Sequence, residues 1–100
     1  MAHLRLDARS STAHINGRIV RLTPLEYSLL EHLLEAFPAD VPYGELLMSV
    51  WGEQAMGHKN YLKLYVAYLR GKLGRGPGDP LIVNRRGTIY GEGGYRLELR

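Results

Sequence analysis

Side chains that can bind bases and phosphates are concentrated in residues 59–73, with the sequence KNYLKLYVAYLRGKL. The Asn60 amide can pair with adenine, the cations of Lys63 and Arg70 with guanine, and the Leu64 methyl groups can contact thymine. With about 100° of rotation per residue, these side chains and two small ones share a broad side of a helix. The residues opposite its apolar stripe are Asn60, Lys63, Leu64, Ala67 and Gly71, and Tyr61, Tyr68 and Arg70 flank them.

The other side of the same helix is apolar. Leu62, Val66, Leu69 and Leu73 recur at the spacing i, i+4, i+7 and i+11, which is typical of a stripe packed against a core. The helix therefore has one buried face, and its remaining surface is free to contact another molecule.

Residues for other kinds of chemistry are missing or badly placed. The chain has no cysteine, and its four histidines lie on different predicted elements without the spacing of metal ligands. No Ser/His/Asp set has the context of a catalytic triad, and the glycines of 91–94 indicate a hairpin turn because no helix follows them to bind phosphate. We expect neither an enzyme nor a protein with a metal or cofactor.

Length and charge narrow the class further. One hundred residues form one domain with a modest core, and no apolar run approaches the length of a membrane span, so we expect a soluble, cytosolic protein. The formal net charge is +3 at pH 7. Residues 1–50 carry four Arg against six acidic residues, whereas residues 51–100 carry nine Lys or Arg against four. This asymmetry is typical of a nucleic-acid surface, although a solvated basic surface would give it equally.

The elements that must position the helix follow from local patterns. Period-two alternation predicts strands, and Asn16-Gly17 predicts a type I′ hairpin between two of them. Thr23, Pro24 and Glu26 form an N-terminal capping pattern for a helix that ends near Phe37-Pro38. The predicted strands are 3–7, 11–15, 18–22, 81–85 and 95–99, with 88–90 as a possible further one.

A second, shorter helix is predicted over 44–51 with Gly52 to end it, and a loop over 52–58 leads into the helix 59–73. The order is an N-terminal antiparallel sheet, three helices and a C-terminal basic β-hairpin. This order predicts an α+β winged helix-turn-helix domain that fills residues 1–100.

Four motifs in this order resemble the DNA-binding domain of OmpR/PhoB-type response regulators. Within that family, residues 61–73 are most similar to the KdpE group, which controls potassium-uptake genes. The motifs are Leu22-Thr-Pro-Leu-Glu-Tyr27, Leu46-Leu-Met-Ser-Val-Trp-Gly52, Leu69-Arg-Gly-Lys-Leu73 and Gly94-Tyr-Arg-Leu97.

The resemblance implies a bacterial transcription regulator whose third helix lies in the major groove of promoter DNA, with the wing in the adjacent minor groove. It implies direct-repeat sites, contact of the loop Gly52–His58 with RNA polymerase, and a receiver domain and sensor kinase in the full-length protein. That receiver is absent from this chain, so we expect an isolated effector half that is monomeric alone.

The resemblance also assigns contacts to single residues. Ala67 and Tyr68 stand where many relatives have basic residues, and Tyr90 stands where an arginine often enters the minor groove; Arg85 or Arg86 is a hypothetical replacement. Lys59, Lys63, Arg70, Arg85, Arg86 and Arg96 are candidates for phosphate contacts. The contacts implied are Trp51, Asn60, Tyr61, Leu64, Ala67, Tyr68 and Arg70 on the helices and Thr88, Tyr90 and Tyr95 on the wing.

Alternatives remain at several positions. Trp51 can serve the core as well as a phosphate, Leu64 can pack on a neighbouring element, and Lys72 and Arg96 can be solvated surface charges. At the level of function, the alternatives are a winged helix that binds a protein through Leu64 and the tyrosines, or nonspecific binding of nucleic acid, including RNA.

Overall fold

The computed structural model describes residues 2–100, so the expected domain boundary at residue 1 lies outside the described part of the chain. The fold is an α+β winged helix-turn-helix, as predicted. Two three-stranded antiparallel sheets, ordered β1-β2-β3 and β4-β6-β5, flank three α-helices. The elements are β1 (Leu4–Asp7), β2 (Thr12–Ile15), β3 (Arg18–Arg21), α1 (Pro24–Ala36), β4 (Val41–Pro42), α2 (Tyr43–Trp51), α3 (Lys59–Leu73), β5 (Leu81–Arg85) and β6 (Gly94–Glu98).

The N-terminal sheet turns where the sequence predicts it. Asn16 and Gly17 have φ values of 49° and 88°, and Ile15 pairs with Arg18 across the two-residue loop. Two positive φ values in succession are the signature of a type I′ turn. The predicted hairpin is confirmed.

The start of α1 also follows its sequence signals. The Thr23 hydroxyl accepts a hydrogen bond from the Glu26 amide at 3.3 Å, and the Glu26 carboxylate accepts one from the Thr23 amide at 2.8 Å. This reciprocal pair is a capping box, and Pro24 occupies the first helical turn. Leu29, Leu30 and Leu33 of α1 are then fully buried in the core.

Helix α2 ends at Trp51 because Gly52 takes a φ of 94°, which favours glycine. The loop to α3 contains a short 3₁₀ turn, Glu53–Ala55, and Ala55 is buried against the core. The loop is therefore attached to the core through Ala55. Helix α2 itself begins at Tyr43, one residue earlier than predicted.

Helix α3 has the predicted bounds, Lys59–Leu73. Its stripe of Leu62, Val66, Leu69 and Leu73 is no more than 1% exposed and belongs to the hydrophobic core cluster that joins all three helices. The burial of one narrow stripe fixes the rotation of the helix about its axis, and thus the side that faces outward.

Two parts of the C-terminal sheet differ from the expectation. The short strand β4 was not predicted; it pairs with β6 through Val41 and Tyr95, which makes a third strand of the hairpin. Residues 88–90 form no strand: a single bridge joins Thr88 to Gly91 at the tip of the hairpin. The strands β5 and β6 pair from Leu81 opposite Glu98 to Arg85 opposite Gly94.

Within residues 2–100, no helix is both long enough and apolar enough to cross a membrane.

Candidate nucleic-acid interface

The face of α3 opposite the buried stripe is open to solvent. Leu64 is 47% exposed and lies among the polar and small residues that the sequence analysis placed beside it. Tyr61 and Tyr68, at 47% and 48% exposed, border this free face. The exposed residues of the face are Lys59, Asn60, Lys63, Leu64, Ala67 and Gly71.

The C-terminal end of α3 is anchored by the N-terminal half of the chain. The Arg18 guanidinium donates to the Leu73 carbonyl at 2.5 Å and to the Lys72 carbonyl at 3.3 Å, and pairs with Asp79 at 3.3 Å. These bonds satisfy carbonyls that the end of a helix otherwise leaves without partners. A cation at this position also matches the negative end of the helix dipole.

Lys72 is not the solvated charge considered above. Its ammonium pairs at 2.5 Å with the carboxylate of Glu26, whose side chain is only 4% exposed. Burial alone would raise the pKa of Glu26, but the hydrogen bonds from Lys72 and Thr23 outweigh it, so the pKa is lowered overall. One carboxylate thus joins the start of α1 to the end of α3.

Arg70, the candidate for pairing with guanine, is bonded within the domain. Its Nε and Nη2 atoms donate to the Ile82 carbonyl at 3.1 and 2.7 Å, and its guanidinium lies 6.0 Å from the ring centroid of Tyr95. A guanidinium that makes both bonds to one strand carbonyl ties α3 to the wing. Arg70 positions the two elements relative to each other.

The N-terminal end of α3 borders a cleft of about 410 Å³ that opens toward the wing. Lys59 and Lys63 line it from the helix, and Arg86 lines it from the wing. Among residues 2–100, no carboxylate forms an ion pair with any of these three cations, and Lys59 lies 5.7 Å from the ring of Tyr43. The cleft is lined by Tyr43, Lys59, Leu62, Lys63, Asn84, Arg86, Gly87 and Tyr95.

The two candidate replacements for the wing arginine have different surroundings. Arg85 pairs with Asp40 at 2.6 Å, and the same carboxylate lies 3.5 Å from Arg96, which also pairs with Glu98 at 2.8 Å. Arg85 and Arg96 are therefore neutralised locally. Arg86, by contrast, is exposed and faces the cleft.

Tyr95, which was expected to be a wing contact, lies in the core. It is 4% exposed, and its ring lies edge-on to Tyr43 at 5.3 Å between centroids. Burial raises the pKa of its hydroxyl. The other two wing residues, Thr88 and Tyr90, are exposed at the tip.

Trp51 lies between the core and the surface. The half-buried indole packs edge-on against Tyr65 at 5.3 Å and lies 6.5 Å from the Tyr61 ring, which in turn stacks on His58 at 5.3 Å. It borders both the core and the start of α3, a position that is compatible with packing in the core and with contact to a phosphate.

Three residues of this region escaped the sequence analysis. The hydroxyl of Tyr43 donates to the Asn84 side chain, which joins the first residue of α2 to the wing beside the cleft. Ile89, at the wing tip, is 92% exposed. For Ile89, the only sequence signal is that two large apolar residues, Ile89 and Tyr90, stand side by side in a predicted turn.

Comparison with known proteins places the chain beside transcription regulators. A family model described as "Transcriptional regulatory protein, C terminal" matches residues 17–97. This match begins within the hairpin turn, at Gly17, and covers β3, all three helices and the wing up to Leu97.

Curated relatives point the same way. The KDP operon transcriptional regulatory protein KdpE of Escherichia coli is 36% identical over 75 residues, which cover 75% of this chain and 33% of that protein. The sensory transduction protein RegX3 of Mycobacterium leprae is 32% identical over 96 residues, which cover 95% of this chain and 46% of that protein. The chain thus spans less than half the length of either relative.

Among solved structures, the DNA-binding domain of Bacillus subtilis CssR is similar over 96% of this chain and 100% of its own. The TM-score is 0.69 and the identity 26%. The two chains therefore share one fold over almost all of their matched length.

Proposed function

Because this chain belongs to the family of OmpR/PhoB-type C-terminal domains of transcriptional regulatory proteins, we propose that it binds double-stranded promoter DNA in a sequence-specific way. It acts as the effector domain of a two-component response regulator. Helix α3 lies in the major groove, and the β5–β6 wing reaches the adjacent minor groove.

The observation that carries this proposal is the pairing of the free face of α3 with the basic cleft at its N-terminal end. Ala67 and Gly71 are small, so this face of the helix can come close to the floor of a DNA groove. The cleft holds Lys59, Lys63 and Arg86, which no acidic residue neutralises within the described chain. Unneutralised cations beside a helix N-terminus favour a phosphate.

The residues then divide into two groups. Lys59, Lys63 and Arg86 bind phosphates and set the register, which gives affinity that falls with salt. Asn60 pairs with adenine and Leu64 contacts a thymine methyl, and each good base contact discriminates by about 1–3 kcal/mol. Flanking the face, Tyr61 and Tyr68 donate hydrogen bonds to phosphate oxygens, and Trp51 approaches the backbone beside them.

The same proposal extends to the partners of the full-length protein. A receiver domain would bring two copies onto a direct repeat, whereas this chain by itself is a monomer that binds one half-site. The loop Gly52–His58 is available to RNA polymerase because Met56 is 44% exposed on it while Ala55 holds it to the core.

A finer proposal is control of a potassium-transport operon, as in the KdpE group. The run 61–73 and the 36% identity to E. coli KdpE support it, but RegX3 is nearly as similar, at 32%. Competition between a duplex from the KDP operon promoter and a scrambled duplex tests it. Equal binding to the two duplexes contradicts KdpE-like specificity.

The DNA proposal is tested by reversing two cations of the cleft. We expect Lys63→Glu with Arg86→Glu to weaken binding to a duplex selected from a random library by at least about 100-fold, since two phosphate contacts become repulsive. Fluorescence anisotropy at one fixed salt concentration measures this. Arg9→Glu with Arg75→Glu is the matched control, because it makes the same charge change on exposed residues outside the cleft.

A protein-binding role remains the rival because Leu64, Tyr61 and Tyr68 expose apolar surface on α3. Binding that both double variants weaken equally would indicate a nonspecific charge effect. Failure to select any duplex would favour the protein-binding role.

A further inference from the structure

The tip of the wing exposes two large apolar side chains next to each other. Ile89 and Tyr90 are each 92% exposed, whereas the next most exposed large apolar residue among residues 2–100, Ile19, is 66% exposed. Exposed apolar residues are ordinary when they are single. Two adjacent ones at the end of a projecting hairpin are a candidate contact surface.

A closed turn holds this pair in place. The Thr88 amide donates to the Gly91 carbonyl at 2.8 Å, and the Gly91 amide donates to the Thr88 carbonyl at 3.2 Å. The Thr88 hydroxyl accepts a further bond from the Tyr90 amide at 3.1 Å. The backbone of the tip is thus fixed by its own bonds, and both side chains point away from the domain.

The two strands are packed closely at the base of the wing. Gly93 is buried, and a Cβ atom there would collide with the carbonyl oxygen of Arg85 and the amide of Gly87. The Gly93 carbonyl also accepts a bond from the Tyr43 amide at 3.1 Å. The tip therefore projects from a closely packed, hydrogen-bonded base.

The surroundings of the tip select its occupant. Residues 87–91 carry no charge, and Arg86 stands directly before them and faces the cleft that Lys59 and Lys63 share. Glu92 stands directly after them, and its carboxylate accepts a hydrogen bond from the Gly44 amide at 3.3 Å. A duplex whose phosphates enter that cleft brings its neighbouring groove to the tip. Basic residues at the base and apolar ones at the end match a charged backbone with stacked bases beyond it.

We propose that Ile89 and Tyr90 enter the minor groove as an apolar wedge that partly unstacks one base step and bends the duplex. The inference rests on the proposed function and specifies how the wing contributes to it. Apolar wedges of this kind bend DNA toward the major groove. The wedge reads deformability, so it favours flexible pyrimidine–purine steps such as TA at the point of entry.

The experiment uses a duplex selected by the wild-type chain, with 2-aminopurine placed at each position in turn and a donor–acceptor pair at its ends. Wild-type protein should raise 2-aminopurine fluorescence at one step and shorten the end-to-end distance. Ile89→Ser with Tyr90→Ser should abolish both signals at saturation and weaken binding at least about tenfold. Tyr90→Phe should keep both signals, because the ring and not the hydroxyl forms the wedge.

Ile19→Ser is the matched control, since it removes an exposed isoleucine from the N-terminal sheet. It should leave both signals and the affinity unchanged. The tip variants should melt like the wild type, because their side chains contribute little burial. The wedge is wrong if the wild type brightens no position, or if the double serine variant binds within about twofold of wild type.

The two proposals fail in different ways. If Lys63→Glu with Arg86→Glu abolishes binding while the tip variant does not alter it, DNA binding stands and the wedge falls, which leaves the apolar tip to a protein partner. If no duplex is selected, both proposals fall together.

Discussion

The two ends of helix α3 both carry cations, but they use them in opposite ways. At the C-terminal end, Arg18 and Lys72 are bonded to the Leu73 carbonyl and to the Glu26 carboxylate. At the N-terminal end, Lys63 faces an open cleft and has no acidic partner among residues 2–100.

The difference shows that counting cations is not enough to locate a binding surface, because a cation that is already paired within the fold is not available to a ligand. A cation near a helix C-terminus is stabilised by the dipole, whereas a cation near the N-terminus gains nothing from it. The first kind supports the fold, and the second is left to attract an anion from outside. Substitutions at the C-terminal end should therefore alter stability, and those at the N-terminal end should alter binding.

The largest expected effect lies at the C-terminal end. Glu26→Ala should lower the free energy of unfolding by about 2–3 kcal/mol, because it removes half of the capping box and leaves Lys72 without its carboxylate. Urea denaturation measures the loss. Glu35→Ala, on the exposed side of the same helix, should change stability by no more than about 0.5 kcal/mol. Similar losses in the two variants would mean that the buried pair is unimportant.

The next effect belongs to the N-terminal end. Lys63→Ala and Arg86→Ala should each reduce the slope of log affinity against log salt by about 1, because each removes one phosphate contact. Anisotropy titrations over a range of salt give the slope, and the free energy of unfolding should stay unchanged.

Arg18→Ala is the comparison at the other end. It should lower stability and leave the salt slope as it is, since its guanidinium is bonded to α3 and Asp79. A change in slope for this variant would remove the distinction between the two ends.

The smallest expected effect is a change in how the free energy of unfolding depends on pH in the acidic range. Because the pKa of Glu26 is lowered in the folded state, its stabilisation is complete above the ordinary carboxyl pKa of about 4 and is lost as the pH falls through the folded value. Glu26→Gln should therefore flatten stability against pH in that acidic range.

Part of the slope should remain in this variant, because Asp79 has its pKa lowered too, first by the Gly76 amide and also by Arg18. Thermal melts between about pH 2 and pH 6 measure both. An unchanged slope for Glu26→Gln would show that the pair with Lys72 does not form in solution.

Local elements were predictable because their signals are local. The capping box at Thr23, the type I′ turn at Asn16 and the buried stripe of α3 each depend on residues within a few positions of one another. Strand β4 was missed because two residues, Val41 and Pro42, carry no periodicity and become a strand only by pairing with β6.

The candidate site was predictable in its helix and less so in its charges. The exposed face of α3 follows directly from the position of its stripe. From sequence, Arg70, Arg85 and Arg86 are equally good candidates for phosphate contacts. In the structure Arg70 bonds to the Ile82 carbonyl and Arg85 to Asp40, which lie 12 and 45 positions away along the chain. Such partners are brought close only by the packing of the wing.

The sequence alone therefore determined which residues form helices, which side of α3 is buried, and that the chain is a winged helix of the response-regulator type. Tertiary structure decided which cations are free, that Tyr95 belongs to the core, and that Ile89 and Tyr90 project together from the wing. The physical reason is the separation along the chain of the residues that interact. Helix periodicity and capping act over a few residues, whereas an ion pair or a close backbone contact depends on which distant segments meet.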